Sequence, residues 1–124
     1  MAEFLTAEWL DQLDQLAQAS ADLAGATSER LVIEQRVLRA DGDTVVYHLV
    51  LGAGPARVHS GAAERADLTL VATEAVALGI HEGSTNAQSC LSDGTLRLRG
   101  NPEILARHAA VLDRIGDVFA DARR

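Results

Sequence analysis

The chain has 124 residues, the length of one ordinary domain, and 48% of them are hydrophobic although only 3% are aromatic, so a core must be built mainly from aliphatic side chains. The formal charge of −7, in which every basic residue is an arginine, repels the phosphates of nucleic acids and of anionic lipid headgroups. We therefore predict a single domain over residues 1–124 that binds no nucleic acid.

The one cysteine, Cys90, cannot form an internal disulfide bond. The first ten residues contain two glutamates and no basic segment before an apolar run, unlike a secretory signal. No apolar stretch approaches the ~20 residues that a membrane-spanning helix needs. We expect a cytoplasmic location and no stable insertion into a membrane.

The first predicted element is an amphipathic helix with Thr6 as its N-cap. Its apolar residues recur at three- and four-residue spacings, as on one face of a helix. The members of this stripe are Trp9, Leu10, Leu13, Leu16 and Ala17.

The pattern changes to a period of two after Arg30, which predicts a strand with Leu31, Ile33 and Val37 on one face. A tight reversal at 41–43 then leads into a second alternating strand, so the two form a hairpin. The remaining strands of a predicted set of five are Ala56 to Ser60, Arg65 to Ala72 and Thr95 to Arg99.

Helical patterns return in the second half of the chain. A short central helix is predicted after Thr73, and Thr85 or Asn86 caps a further turn or two. Asn101 and Pro102 predict the cap and the first position of a long final helix. Its apolar stripe extends over four turns through Ile104, Leu105, His108, Val111, Leu112, Ile115, Val118 and Phe119.

The connections within the strand block are too short for parallel crossovers. We therefore predict an α+β fold with a five-stranded, largely antiparallel sheet in meander-like order. The N-terminal, central and C-terminal helices cover one face of this sheet. The opposite, wetter face is expected to carry Glu34, Arg36, Asp67, Thr69, Arg97 and Arg99.

Two short segments flank the central helix and precede the final one: Ala66 to Leu70, with sequence ADLTL, and Gly94 to Asn101, with sequence GTLRLRGN. In the order and spacing of these segments the chain resembles the sterol carrier protein type two (SCP-2-like) domains. The resemblance covers nearly the whole chain and is strongest from Ala66 to Leu112. It implies an apolar tunnel between sheet and helices that carries fatty acyl chains, acyl-CoA, sterols or other lipids.

Small Ala and Gly residues beside leucines leave space that aromatic side chains would otherwise fill. We expect ten residues to border the tunnel that the resemblance implies, although each has ordinary core packing as its alternative role. They are Tyr47, Leu49, Val76, Ile80, Leu91, Leu96, Leu98, Leu112, Ile115 and Phe119.

No sequence motif in the chain indicates an enzyme. The four histidines share no metal-ligand spacing, and no G-x-S-x-G elbow is present. We therefore predict no catalytic residue, no metal and no cofactor. One alternative is a small enzyme, such as a cyclase or isomerase, in which Tyr47 or His48 positions a hydrophobic intermediate for cyclisation or proton transfer.

A second alternative is an accessory subunit that presents such an intermediate to a partner enzyme of lipid, polyketide or quinone metabolism. In that case the acidic surface and the exposed sheet face form the docking surface. The sequence also leaves a homodimer as an alternative, since the edge strand Ala56 to Ser60 and the apolar Leu38 offer a contact.

Overall fold

Two helices precede the strands in the described part of the chain, two lie between the fourth and fifth strands, and one follows the last strand. The computed structural model describes residues 5–25, 29–52, 54–108, 110–111 and 115. In chain order the elements are α1 (Ala7–Ala19), α2 (Ala21–Ala24), β1 (Leu31–Leu38), β2 (Thr44–Leu51), β3 (Arg57–Ser60), β4 (Leu68–Thr73), α3 (Glu74–Glu82), α4 (Ala87–Asp93), β5 (Arg97–Gly100) and α5 (Pro102–Arg107).

The five strands form one sheet in the order β3-β2-β1-β4-β5. Three of its adjacent pairs are antiparallel, and β1 and β4 run parallel. The predicted α+β fold with a largely antiparallel sheet is confirmed. The expected meander order holds only for β1 to β3, because the loop of residues 61–67 returns the chain to the far side of β1.

Hydrogen bonds between Asp67 and Val32 fix this return. The backbone N–H of Asp67 donates to the carbonyl oxygen of Val32 at 2.9 Å, and the Asp67 carboxylate accepts from the Val32 N–H at 2.8 Å. Both bonds join the start of β4 to β1. The predicted strand from Arg65 therefore begins only at Leu68, since the residues before it belong to this loop.

Side-chain caps begin the helices, and those of Thr6 and Asn101 are the ones that the sequence predicted. The Thr6 hydroxyl accepts from the Trp9 N–H at 3.2 Å, and the Thr73 hydroxyl begins α3 in the same way. Asn86, rather than Thr85, caps α4. Asn101 caps α5, with Pro102 in the first turn. Each cap satisfies a backbone N–H that the helix itself leaves without a partner.

The last helix differs from the unbroken one that we predicted. Helix α5 ends at Arg107, and His108 has φ −115° and ψ 19°, outside helical values. Residues 110, 111 and 115 are again helical. No Gly or Pro marks the break, so the regular spacing of apolar residues conceals it. Leu112 and Phe119 lie outside the described residues.

The two faces of the sheet differ in chemistry. Along β1, Leu31, Ile33 and Val37 are buried on the side of the helices, which we call the helix-facing face. Glu34 and Arg36 lie on the opposite side, the outer face. Glu34 is only 4% exposed, contrary to the expectation of a wet position, because it accepts hydrogen bonds from the Arg36 Nε and the Ala63 N–H.

Helix α1 is joined to the edge strand β3 through Asp14. Its carboxylate accepts from the Arg57 side chain at 3.0 and 3.2 Å and from the Val58 N–H at 2.8 Å. Partial burial raises the pKa of Asp14, but the bonds from Arg57 and Val58 outweigh it and hold that pKa below its usual value. The Val58 N–H is therefore paired although β3 is an edge strand.

Replacement of Gly52 tests the contact between the end of β2 and the segment before β1. Gly52 has φ +81°, and an added Cβ would overlap the backbone carbonyl of Glu29. We expect Gly52→Ala to lower the free energy of unfolding by about 3 kcal/mol or more in urea titrations. Gly54→Ala is the control, since it also has positive φ but its Cβ meets nothing within 4 Å. It should cost about 1 kcal/mol, and equal costs would contradict the predicted overlap.

Candidate functional site

A row of four side chains crosses the middle of the helix-facing face. Strand register places Tyr47 of β2 beside Gln35 of β1, and Gln35 beside Leu70 of β4. Leu70 is paired in turn with Leu98 of β5. Tyr47, Gln35 and Leu98 are half-buried, and only Leu70 is fully buried. This row, which we call the central row, therefore remains partly accessible under the helices.

The neighbouring row is closed. It runs through the next inward-facing position of each strand, and its side chains belong to the best-buried part of the core. On the other side of the central row, Val37 and Ala72 are again only 2% and 7% exposed, and Val45 is half-buried. The central row therefore lies between two mostly buried rows. The closed row consists of Leu49, Ile33 and Leu68, which are 1–2% exposed.

Helix α3 contacts β1 and β4. Its sequence, EAVALGIHE, is mostly apolar, yet none of its residues is buried. Val76, Ala77 and Ile80 are half-buried and pack against the core. An apolar helix normally buries a stripe against its neighbours, so α3 leaves apolar surface available where the sheet is accessible.

Half-buried apolar residues from several elements pack against the core. Apart from Leu16 of α1, they come from β2, α3, α4, β5, α5 and the helical residue 115. We call this set the apolar patch: Val45, Tyr47, Val76, Ala77, Ile80, Ala87, Leu91, Leu98, Ile104 and Ile115.

Of the ten predicted tunnel residues, two lie in the closed core, six lie in the apolar patch and two lie outside the described residues. Leu49 and Leu96 are 2% and 4% exposed and belong to the closed core. Leu112 and Phe119 lie outside the residues that the structure describes. Contact of the remaining six with a ligand stays a prediction. These six belong to the apolar patch: Tyr47, Val76, Ile80, Leu91, Leu98 and Ile115.

Tyr47 and Gln35 bring polar atoms into the central row. Neither side chain makes a hydrogen bond within the part of the chain that the structure describes. Burial raises the pKa of the Tyr47 hydroxyl, so the group stays neutral and can both donate and accept a hydrogen bond. The Gln35 amide offers the same two functions one strand away.

Trp9 connects three elements around this row. Its ring meets Tyr47 edge-to-face, with centroids 5.6 Å apart and planes at 88°, and meets His81 of α3 at 5.5 Å and 84°. Such pairs add about 0.5–1.5 kcal/mol to burial. Trp9 is 3% exposed, so it holds α1, β2 and α3 together beside the apolar patch.

Gln35 and His81 were missed by the sequence reasoning, and Trp9 was assigned only to a helix stripe. The signal for Gln35 was present, because the period of two places it on the same face as Ile33 and Val37. A polar residue inside an apolar face marks a position that needs a partner. No local signal indicates that Trp9 and His81 meet, since only the fold brings them together.

The structure separates the two candidate catalytic residues. Tyr47 belongs to the helix-facing face, whereas His48 lies on the outer face opposite His59, with ring centroids 5.2 Å apart. One pocket therefore cannot use both Tyr47 and His48. Within the described ranges, no group of three or more His, Cys, Asp or Glu side chains is placed to hold a metal ion.

Comparison with known proteins assigns the family. Residues 10–113 match the model of the SCP-2 sterol transfer family. The chain belongs to the SCP-2 sterol transfer family. None of the curated proteins matches the sequence. Among the described residues, no helix of this SCP-2 family member is both long and apolar enough to cross a membrane.

Solved structures share the fold. A crystal structure of sterol carrier protein 2 has a TM-score of 0.79 at 24% identity, covering 95% of this chain and 98% of its own. A conserved hypothetical protein of Thermus thermophilus, possibly a sterol carrier protein, has a TM-score of 0.75 at 25% identity, covering 97% and 90%. A palmitated SCP2L2 from Aedes aegypti has a TM-score of 0.67 at 19% identity, covering 86% and 94%.

Substitution of Tyr47 and of Trp9 distinguishes a polar group that the fold does not need from a buried ring that stabilises this SCP-2 domain. Because the Tyr47 hydroxyl has no described hydrogen-bond partner, Tyr47→Phe should change the free energy of unfolding by less than about 0.5 kcal/mol. Trp9→Ala removes a buried ring and should cost about 3–5 kcal/mol. Urea unfolding of lipid-free protein measures both. A loss above about 1.5 kcal/mol for Tyr47→Phe would reveal a partner for the hydroxyl.

Proposed function

We propose that this chain binds and transfers one hydrophobic molecule without catalysing a reaction, and that the apolar patch is its binding site. The class of ligand is a fatty acyl chain, acyl-CoA, a sterol or another lipid. The observation that carries the proposal is the apolar helix α3, which buries none of its residues beside a partly accessible central row. Membership of the SCP-2 sterol transfer family supports the same class of ligand.

The apolar patch suits a flexible chain or a flat ring system better than a polar substrate. Its members, apart from Tyr47, carry only aliphatic side chains, which adapt to a ligand without fixed stacking geometry. Among the related folds, the Aedes aegypti protein is palmitated, which supports an acyl chain as one occupant of such a site.

The polar atoms of the central row give the ligand an orientation. Tyr47 and Gln35 lie side by side across two strands, and their side chains are half-buried. A hydroxyl or carboxyl group at one end of a lipid would satisfy them, while its hydrocarbon part lies against Leu98 and α3. Ligand sites in proteins commonly combine a mostly apolar lining with a few polar groups of this kind.

The expected affinity suits exchange rather than storage. Burial of about twelve methylenes at ~0.8 kcal/mol each gives roughly 10 kcal/mol, from which at least ~4 kcal/mol of lost freedom is subtracted. The remainder corresponds to a dissociation constant in roughly the micromolar to millimolar range. A ligand held at this strength leaves readily, as a carrier requires.

Three further points belong to the proposal. The unit that binds is a single lipid-binding domain spanning residues 1–124. The buried, free thiol of Cys90 is compatible with a cytoplasmic location. A homodimer or a partner enzyme would receive the ligand at the mouth of the site.

A matched pair of substitutions in α3 tests the site. Ala77 is half-buried in the apolar patch, whereas Ala75, two residues earlier in the same helix, is exposed. Ala77→Trp fills space at the patch and should weaken binding of a fluorescent fatty acid by about ten-fold or more. Ala75→Trp adds the same ring to the same helix and should change the affinity by less than about two-fold.

The titration is made on delipidated protein, and both variants must unfold cooperatively in urea for the comparison to count. Equal affinities of the wild-type and Ala77→Trp proteins would place the ligand elsewhere. Absence of saturable binding to wild-type protein, with fatty acid, acyl-CoA and sterol probes alike, would refute the carrier function itself.

A further inference from the structure

A concave site lies on the outer face, on the other side of the sheet from the apolar patch. It has a volume of about 300 Å³. Val32 and Val50, paired across β1 and β2, contribute apolar surface, and His48 and His59, paired across β2 and β3, lie next to them. The residues that line this outer pocket are Arg30, Val32, His48, Val50, His59, Ala63, Glu64 and Arg65.

One wall of the outer pocket is the loop of residues 61–67, and hydrogen bonds fix it to the sheet. The Ala63 N–H donates to the buried Glu34 carboxylate at 2.9 Å. The Gly61 N–H donates to the Val46 carbonyl oxygen at 2.8 Å, and His48 Nδ1–H donates to the Gly61 carbonyl oxygen, also at 2.8 Å. The loop is therefore held before any ligand arrives, which lowers the ordering cost of binding.

The charge of the lining is opposite to that of the chain. Two arginines against one glutamate give the outer pocket a net charge of +1 with neutral imidazoles, in a chain of net charge −7. Within the described ranges, neither Arg30 nor Arg65 has a carboxylate in salt-bridge distance, whereas Arg36, Arg39, Arg57 and Arg107 each have one.

The lining of the outer pocket holds two guanidinium groups and one carboxylate, that of Glu64. One positive charge is therefore left uncompensated, and an anion between Arg30 and Arg65 balances it. Guanidinium groups bind phosphate and carboxylate oxygens through paired N–H donors. Val50 is half-buried and offers a small apolar area beside these donors, whereas Val32 is only 2% exposed. The pocket therefore favours an anion that carries a small apolar group over a bare ion.

We propose that the outer pocket binds a small oxyanion, a phosphate ester or carboxylate with a short apolar group, between Arg30 and Arg65 and over Val32 and Val50. The sheet lies between this pocket and the apolar patch, so one small molecule cannot occupy both. The anion site is therefore independent of the proposed lipid site, and failure of one leaves the other standing.

Nuclear magnetic resonance titration of the full chain with phenyl phosphate and with inorganic phosphate tests the proposal. Saturable shifts are expected at the amides of residues 61–65 and at the His48 and His59 side chains. Phenyl phosphate should bind at least about five-fold more tightly than inorganic phosphate, because its ring packs against the valine side chains of the outer pocket. The proposal is overturned if no saturable shift appears below about 20 mM of either probe.

Charge variants supply the matched control. Arg30→Gln and Arg65→Gln each remove one guanidinium from an exposed position and should weaken phenyl phosphate binding by about five-fold or more. Arg99→Gln removes an exposed arginine from the outer face at the opposite edge of the sheet and should change the affinity by less than about two-fold. Equal losses in all three variants would show a diffuse charge effect and contradict a defined site.

Vesicles distinguish the two sources of such an anion. Phosphatidylcholine vesicles containing phosphatidic acid are sedimented with wild-type and Arg65→Gln protein. Co-sedimentation that Arg65→Gln abolishes would assign the phosphate to a lipid headgroup. Phenyl phosphate binding without co-sedimentation would assign it to a free phosphate ester.

Discussion

Strand β1 pairs with β2 on one side and with β4 on the other, so its side chains stand at the middle of both sheet faces. Its alternation of side chains sends Leu31, Ile33 and Val37 toward the helices and Glu34 and Arg36 away from them. A shift of one residue in its register would exchange the two sets and bury charges in the core. Both candidate sites depend on this alternation.

The helix-facing face has a closed end at Leu31 and Ile33 and a less completely buried middle, the central row. At the closed end, Leu13 of α1 and Leu23 of α2 are almost completely buried in the core that also contains Leu51. Helix α3, which contacts β1 and β4, has no buried residue, and α4 has only Cys90. The low aromatic content of the chain contributes as well, since small side chains leave surface that rings would cover.

A polar residue on an apolar face is a cost unless it has a partner. Gln35 lies at the centre of the helix-facing face, between Tyr47 and Leu70, and the aliphatic residue that packing alone would favour is missing there. In the proposed function this cost is offset when a ligand supplies the hydrogen bonds. A ligand that bonds to Gln35 and Tyr47 would therefore make use of a row that is both polar and partly accessible.

Local patterns were sufficient to predict most of the elements. The caps at Thr6 and Asn101 and the alternation in β1 and β2 were readable because each depends on residues close in sequence. The return of β4 to β1 was not readable, since it depends on the bonds between Asp67 and Val32. The break at His108 carries no Gly or Pro signal.

The candidate site also combines features that local sequence predicts with features that only tertiary contacts produce. Periodicity assigned apolar residues to the helix-facing face, but it could not separate Leu49 in the closed row from Tyr47 in the accessible one, because both have the same alternation. The encounter of Trp9 with Tyr47 and His81, and that of His48 with His59, arise from tertiary packing. The pairing of Arg30 and Arg65 at one pocket likewise depends on the path of the loop 61–67.

The most direct test of the account is native mass spectrometry of the purified protein, followed by solvent extraction and identification of any released molecule. The account predicts a reproducible adduct of lipid mass on part of the protein, removed by extraction and restored by incubation with a fatty acid. A protein that carries no adduct as purified, and gains none after incubation with fatty acid, acyl-CoA or sterol, would contradict the central claim that the apolar patch holds a hydrophobic ligand.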